Sequence, residues 1–396
     1  MSGARLFVII NNAAARARAA WPRVREALAG EGVGFEAHES LRSGETEERT
    51  RAGLARGFET IAVVGGDGTL SAAAGGYFEP CEGLQEGEAP RAVNASAALA
   101  LLPAGTGDDF ARGLTGGRRE PLEAWLARLV RHCRRDIDNV SDETDVSNAT
   151  DVSDESDVSD ESDVSDATNV SDEIDVSDES DVSFKSAAGF QRSATTRGQS
   201  ATTRDQSETT RGVDVLLGSV DGGARRFVCL NAATLGIGAE VAGRVASQGP
   251  NLRRLPGEAR FALAAVRSLA AWRNRRVRVS VDGRVWEECA TNLIAIANGT
   301  YAGGGMNFSP EASLTDGLLD VLTVCRLSRA ELIRELTRVH RGGHINNPKV
   351  KLTRGTHVRV ETVDDADSLG IEADGDPRGH TPADFRVLPA ALRLVF

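Results

Sequence analysis

A long acidic and repetitive stretch interrupts this sequence. Residues 139–212 contain seven hexads of the type DVSDES and then three heptads of the type SATTRGQ. With 19 acidic residues, 5 basic residues and few large apolar side chains, the stretch cannot bury enough apolar surface to offset the entropy lost on ordering. The sequence therefore predicts two folded parts, residues 1–138 and 213–396, joined by a solvated, disordered insertion. The spaced aspartates raise calcium binding as an alternative, but the glycines of calcium-binding repeats are missing.

The acidity of the chain belongs to this insertion. The whole chain carries a formal charge of -12 and the insertion -14, so the remainder carries +2. A near-neutral folded part gives no indication of a nucleic-acid partner. No apolar run reaches the roughly 18 residues of a membrane span, and the five cysteines are scattered without a CxxC pair. We therefore expect a cytoplasmic protein with buried, reduced thiols.

The first part alternates short apolar runs with helical patterns. Strands are predicted at 5–10, 60–64 and 98–105, and helices at 13–30, 44–56 and 121–133. This alternation predicts an α/β domain with a parallel sheet, Rossmann-like and three-layered, with ligand sites at the carboxyl ends of its strands.

The second part is rich in predicted strands. Runs such as RRVRVSVDGRVWEE and HVRVETV are separated by turn residues, and two helical patterns occur near 257–273 and 328–341. This order predicts an antiparallel sheet or sandwich with inserted helices.

Two glycine-rich turns each follow a predicted strand and open a helix. They are VVGGDGTLSAAAGG at 63–76 and LLPAGTGDDFARGL at 101–114. Glycines let the backbone approach a phosphate closely, and a helix N-terminus favours its charge. Asp67 would repel a phosphate unless it holds a metal or a ribose hydroxyl; a tight turn capped by aspartate is the structural alternative. Neither turn has the lysine of a Walker A motif, and GxGxxG is absent.

Four blocks together resemble one enzyme family. GGDGTL, PAGTGDDFARGL, NGTYAGGGMNFSPEASLTDGLLDVLTV and EADGDP occur in the order and spacing of the lipid kinases that include soluble bacterial diacylglycerol kinases, sphingosine kinases and ceramide kinases. The resemblance implies a nucleotide-binding α/β domain, a C-terminal β-sandwich domain and an active site in the cleft between them. It also implies ATP and Mg²⁺ as cofactors and a lipid hydroxyl as acceptor.

The resemblance assigns nucleotide binding to three loops and one strand end. Four positions in these loops depart from the family pattern: Asn12 replaces a proline, Ser71 and Ala72 replace Asn and Glu, and Asp108 replaces an asparagine, which adds charge near a triphosphate. The nucleotide-binding residues implied are Asn11, Asn12, Ala13, Ala14, Ala15, Ser40, Gly65, Gly66, Asp67, Gly68, Thr69, Leu70, Ser71, Ala72, Gly105, Thr106 and Asp109.

The resemblance also implies a structural Mg²⁺ site and a catalytic base. Ser313, Asp316 and Leu318 match the metal site, although a simple β-turn explains the same residues. Asp376 matches the base of the family, one methylene shorter than the usual glutamate, and is preferred over Asp374; Asp67 is a third candidate. A hairpin turn is the structural alternative for DGDP.

A diacylglycerol-like acceptor implies contact with a membrane surface. The helix around 260–276 carries apolar residues and an arginine-rich end that suit this contact, and packing against the sandwich explains it equally well. Two other functions stay open. One is a related kinase of a soluble acceptor such as NAD, against which the GTGDD and TDGLLD blocks speak; the other is a non-catalytic lipid- or nucleotide-binding protein, which the departures from the family pattern suggest. A homodimer is also compatible with the sequence.

Overall fold

The structure is a computed structural model that describes residues 5–42, 44–81, 84, 87–146, 209–249, 252, 257–364 and 367–396. The predicted insertion, apart from its first and last few residues, lies outside this range. Among the described residues, no helix combines the length and the apolar character needed to cross a bilayer.

The N-terminal part is built on four parallel strands. Their order is β2-β1-β3-β4, and β1 and β3 are buried because their residues are almost all apolar. The strands are β1 (Leu6–Asn11), β2 (Phe35–Ser40), β3 (Thr60–Gly65) and β4 (Ala98–Pro103). The helices are α1 (Ala15–Gly30), α2 (Glu45–Ala55), α3 (Asp67–Tyr77), α4 (Asp109–Leu114) and α5 (Leu122–Val146).

The C-terminal part consists mainly of antiparallel strands around a second apolar core. Its helices are α6 (Ile237–Ala246), α7 (Gly257–Ala271) and α8 (Arg329–Val339). Its strands are β5 (Thr210–Val220), β6 (Arg225–Cys229), β7 (Ala232–Gly236), β8 (Arg275–Val281), β9 (Arg284–Ala297), β10 (Tyr301–Ala302), β11 (Met306–Asn307), β12 (Leu319–Cys325), β13 (Val350–Gly355), β14 (His357–Thr362), β15 (Gly370–Ala373), β16 (Asp376–His380) and β17 (Ala383–Val395).

The last strand connects the two parts. β17 pairs antiparallel with β5 along most of its length and with β14 over residues 383–386, and near its end Leu394 pairs parallel with Leu99 of β4. Leu392 and Leu394 are fully buried in the N-terminal core. The two cores therefore share one continuous set of strands, which fixes the loops of one part against those of the other.

The predicted fold class is confirmed, namely a parallel α/β domain followed by a β-rich, sandwich-like domain. Two details differ from the sequence predictions. The helix predicted over 121–133 continues to Val146, past the predicted start of the insertion at Asn139. The expectation of reduced thiols is wrong for Cys289 and Cys325, which form a disulfide. The pairing of β9 with β12 brings these cysteines together across 36 residues of sequence, and sequence spacing alone does not show this register.

Candidate active site

The carboxyl ends of the parallel strands form one edge, as the strand–helix alternation predicts. In the sheet register Asn11 pairs with Ser40, and Gly65 pairs with Pro103. The Asn11 side-chain amide donates to the Thr69 hydroxyl at 2.9 Å, which connects the first loop to the GGDGT turn. The predicted residues 11–15 form the turn that opens α1. The buried hydroxyl of Ser40 faces α2, where it accepts a hydrogen bond from the Thr46 hydroxyl.

The two glycine turns touch each other. A Cβ on Gly66 would lie 3.0 Å from the Gly105 Cα, and one on Gly105 would lie 2.7 Å from the Gly66 Cα. Only glycine allows two backbones to approach this closely. Gly65 is constrained too, because a Cβ there would lie 2.6 Å from the Thr69 side chain. These glycines therefore bring the β3–α3 turn and the loop after β4 into one surface.

Asp67 joins the same two turns through its side chain. Its two carboxylate oxygens accept the backbone N–H groups of Asp109 and Phe110, both at 2.9 Å, so that Asp67 caps the start of α4. Burial raises the pKa of Asp67 to about 6, and the neighbouring carboxylates of Asp109 and Asp108 add to this rise. The Asp67 carboxylate is thus held in place close to two other carboxylates.

Asp109 connects the α/β domain to the β-rich domain. Its Oδ2 accepts the backbone N–H of Gly304 at 2.7 Å, and its Oδ1 is buried with no hydrogen-bond partner among the described residues. Burial raises the pKa of Asp109 as well. An unpartnered buried carboxylate oxygen is costly unless a cation or a donor meets it.

Arginines surround the loop after β4. Arg16 donates to the Gly105 carbonyl at 2.8 Å, and Arg119 donates to the carbonyls of Thr106 and Gly107. Burial raises the pKa of Asp108, and the charges of Arg119 and Arg16 oppose this rise. The Asp108 side chain accepts the N–H of Gly105 at 2.8 Å and so closes the loop on itself. Cationic groups are therefore available here in place of a Walker lysine.

Asp374 is the main contact of the DGD stretch with the α/β domain. Its Oδ2 accepts from the Ser71 hydroxyl and from the Leu230 N–H, both at 2.7 Å. Its Oδ1 accepts from the N–H groups of Asn231 at 2.9 Å and Ala232 at 3.4 Å. With both oxygens occupied by donors, Asp374 positions the surrounding segments.

Glu372 and Asp376 lie on either side of Asp374 and differ in environment. Glu372 accepts from the Thr234 hydroxyl at 2.6 Å and from the Gly375 N–H. Burial raises its pKa to about 7, with a further contribution from the charges of Asp374 and Asp376. The Asp376 side chain is 69% exposed and lies 3.6 Å from Arg378. Its assignment as base stays a prediction.

One cavity of about 650 Å³ connects these groups to an apolar interior. Its polar end is lined by Asp67, Thr106, Asp109, Glu372 and Asp374. Its body is lined by side chains of α6, α7 and α8 and of the strands beneath them. Aliphatic lining residues include Ile237, Val241, Leu269, Leu293, Leu322, Val324, Leu332, Leu336 and Val339.

The predicted Mg²⁺ site near Ser313 is a turn in the structure. Asp316 Oδ1 accepts the N–H of Leu318 at 3.1 Å, and the Asp316 side chain is exposed. The N–H of Gly317 is bound by the buried Asp214 at 2.7 Å. These bonds explain the TDG sequence as a turn, and metal binding by Ser313, Asp316 and Leu318 stays a prediction.

Sequence reasoning brought the correct loops together but missed several groups. Glu372, Arg16 and Arg119 had no role assigned. One signal could have found Glu372: it is the first acidic residue of the EADGDP block, two positions before Asp374. The arginines could not be found, since they are separated in sequence from the loop they contact.

Two sequence models match this chain. The diacylglycerol kinase catalytic domain matches residues 5–141, and the YegS C-terminal NAD kinase beta sandwich-like domain matches residues 233–396. The chain belongs to the lipid kinase family of the diacylglycerol kinases. This family match covers the three loops, the DGD stretch and most of the cavity lining.

Individual proteins that are similar to this chain carry the names of the same lipid kinase family. A diacylglycerol kinase of Mycobacterium tuberculosis (strain H37Rv) is 31% identical over 146 residues, which is 37% of this chain and 46% of that protein. The chain thus matches about half the length of that relative. A probable lipid kinase YegS-like of Pseudomonas aeruginosa (strain UCBPP-PA14) is 26% identical over 351 residues, covering 89% and 81%. A crystal structure of a diacylglycerol kinase from Bacillus anthracis (Sterne) shares the fold, with a TM-score of 0.57 at 15% identity and coverage of 100% and 98%.

Proposed function

We propose that this protein transfers the γ-phosphoryl group of ATP to a hydroxyl group of a lipid, with a diacylglycerol-like glycerolipid as acceptor. The observation that carries the proposal is the cavity of about 650 Å³, whose apolar body ends at the acidic, glycine-rich loops. Family membership supports the reaction class, and the shape of the cavity supports the acceptor class.

The apolar body of the cavity supports a lipid acceptor over a soluble one. Its walls are formed mainly by aliphatic side chains of α6, α7 and α8, with Glu335 and His344 as the ionisable exceptions. A polar acceptor such as NAD would lose hydrogen bonds to water on entering these walls and find few partners in return. Acyl chains, by contrast, gain about 0.8 kcal/mol for each methylene that they bury.

The loops at the polar end support ATP as the phosphoryl donor, which is a substrate of the reaction. Backbone groups of the touching glycine turns, the N-terminus of α3, and Arg16 and Arg119 all favour an anionic phosphate chain. These features lie at the edge formed by Asn11 and Ser40, where parallel sheets bind nucleotides.

The acidic residues at this end fit a magnesium ion. Asp109 has a buried oxygen that meets no hydrogen-bond partner within the described part of the chain, and burial together with neighbouring carboxylates raises the pKa of Asp67. Asp67 and Asp109 would therefore hold Mg²⁺. When bound, the ion would neutralise charge on the phosphate oxygens.

We assign the role of proton acceptor to Glu372. It lines the cavity, and a pKa of about 7 leaves it able to take a proton at neutral pH. The oxygens of Asp374 are occupied by four donors, and Asp376 is not among the described residues that line the cavity. The acceptor hydroxyl gives its proton to Glu372 as its oxygen bonds to the γ-phosphorus, and ADP leaves.

The acceptor class is tested with purified protein, labelled ATP and Mg²⁺ against diacylglycerol, a sphingoid base, a polyprenol and NAD. We expect label in the lipid fraction. Label in NAD alone would establish the soluble-acceptor kinase instead, and no transfer to any acceptor would favour a non-catalytic binding protein.

The base is tested by comparing Glu372→Gln with Asp376→Asn. Loss of a general base lowers turnover by about 100-fold or more. We expect this loss for Glu372→Gln and a smaller one for Asp376→Asn. The reverse order would return the role to Asp376, as the family resemblance predicts.

A further inference from the structure

Exposed aliphatic side chains border the opening of the cavity. Val266 on α7 and Ile333 and Leu336 on α8 line the cavity, yet they are 65%, 54% and 46% exposed. A side chain that faces both the cavity and the solvent lies at the opening. We name these three residues the apolar rim. Large aliphatic side chains on an exposed surface indicate a binding surface when they cluster in this way.

Cationic side chains flank the apolar rim. Arg267 follows Val266 on α7, and Arg329 stands one helical turn before Ile333 on α8. Together with Arg341, which follows α8, they are exposed and have no ion pair among the described residues.

The acidic side chains of α8 are already engaged. Glu331 pairs with Lys349 at 2.7 Å and caps the helix, and Glu335 is buried and pairs with Arg338. The surface next to the opening therefore presents aliphatic and positive groups, which is the combination that binds anionic lipid surfaces.

We propose that the face formed by α7 and α8 docks on an anionic phospholipid bilayer, so that a lipid enters the cavity at the apolar rim. The inference rests on the proposed function, since it places the opening of the cavity against the phase in which the acceptor dissolves. Val266, Ile333 and Leu336 would lie among the acyl chains near the headgroups, with the arginines at the level of the lipid phosphates.

The test is co-sedimentation of the full chain with vesicles of phosphatidylcholine, with and without phosphatidylglycerol, in the absence of nucleotide. We expect the wild-type protein to prefer vesicles with phosphatidylglycerol and to lose this preference in high salt. The double variant Val266→Asp/Ile333→Asp should bind at least about tenfold more weakly, because two aliphatic side chains no longer enter the bilayer. Arg267→Gln/Arg329→Gln should lower binding to anionic vesicles by about fivefold for each arginine.

The matched control is Val285→Asp. Val285 on β9 is 61% exposed, similar to the rim residues, and does not line the cavity. We expect this variant to bind vesicles as the wild type does. Equal loss in Val285→Asp, or unchanged binding in the rim variant at an unchanged unfolding midpoint, would overturn the proposal.

A second copy of the chain is the competing occupant of this surface. Sedimentation velocity over a range of protein concentrations decides this point. An association that the rim variant abolishes would make the face a dimer interface and overturn membrane docking. The failure of the proposed function can be distinguished from the failure of membrane docking. A protein that binds anionic vesicles through the apolar rim but phosphorylates no acceptor would contradict the proposed kinase activity and leave the docking proposal standing.

Discussion

At the residue scale, Glu372 shows how the site obtains reactivity at a cost in stability. The carboxyl group is buried beside Asp374, and only Thr234 and Gly375 offset the lost hydration with hydrogen bonds. Burial that is only partly compensated disfavours the charged form, which is why the pKa rises towards neutrality. The same property that would make Glu372 a base at neutral pH makes its ionised form unfavourable in the folded protein.

This conflict predicts a pH-dependent stability. The pKa of Glu372 rises from 4.5 to about 7 on folding, so the folded protein retains a proton that the unfolded chain has lost. Its contribution to stability is therefore present below pH 4.5 and decreases as the pH rises to about 7, by about 3 kcal/mol in total. In urea unfolding from pH 4.5 to 8, Glu372→Gln should gain stability relative to wild type as the pH rises. Glu240→Gln, at an exposed ion pair on α6, should show no such trend; a flat difference for Glu372→Gln would contradict the assignment.

Ser71 is a second residue whose effect can be predicted. Its buried hydroxyl donates to the Asp374 carboxylate at 2.7 Å, and bonds to charged groups contribute about 1.5–3 kcal/mol. Ser71→Ala should lower the free energy of unfolding by about this amount, measured by chemical denaturation. Ser247→Ala, which removes an exposed hydroxyl, should change it by less than about 0.5 kcal/mol. Equal effects of the two changes would show that the Ser71 contact contributes nothing specific.

At the element scale, the site depends on how closely turns approach one another. The strand–helix alternation predicts that β3 and β4 end at the same edge, because consecutive parallel strands share their direction. Gly66 and Gly105 then determine how near the two turns come. Strand β2 was not predicted, because FEAHES is mostly polar, lies at an exposed edge and has no apolar run. Helix α6 was not predicted either, since the strand pattern before Gly236 continues into the first residues of the helix.

The close approach of the turns predicts different outcomes for two glycines of one motif. Gly66→Ala would place a methyl group 3.0 Å from the Gly105 backbone, and we expect a loss of about 1–3 kcal/mol in stability. Gly68, in the first turn of α3, has open space around its Cβ position. Gly68→Ala should therefore leave stability unchanged or raise it by up to about 1 kcal/mol. Thermal unfolding of both variants provides the comparison, and similar midpoints would show that the turns do not need to touch.

At the scale of the whole molecule, the strands shared by the two parts place the carboxyl edge of the parallel sheet next to an apolar cavity. The sequence predicted both parts and the loops between them, because turns and strand runs are local features. The resemblance implied a cleft between the domains, but the sequence did not predict the residues that line the cavity, which are spread from Asp67 to Gly375 and meet only through tertiary packing. It did not predict the unequal environments of Glu372, Asp374 and Asp376 either, since burial and donors come from β6, β7 and α3.

The central claim is that the acidic end of the cavity transfers phosphate to a lipid. Its most direct test is the rate of phosphate transfer from labelled ATP to a long-chain diacylglycerol, measured for wild type and for Asp67→Asn in parallel. We predict transfer by the wild type and a rate at least about 100-fold lower for the variant at equal folded fraction, because Asp67 joins both glycine turns and would hold the magnesium ion. Equal rates in the two proteins, or no phosphorylated lipid with the folded wild type, would contradict the account.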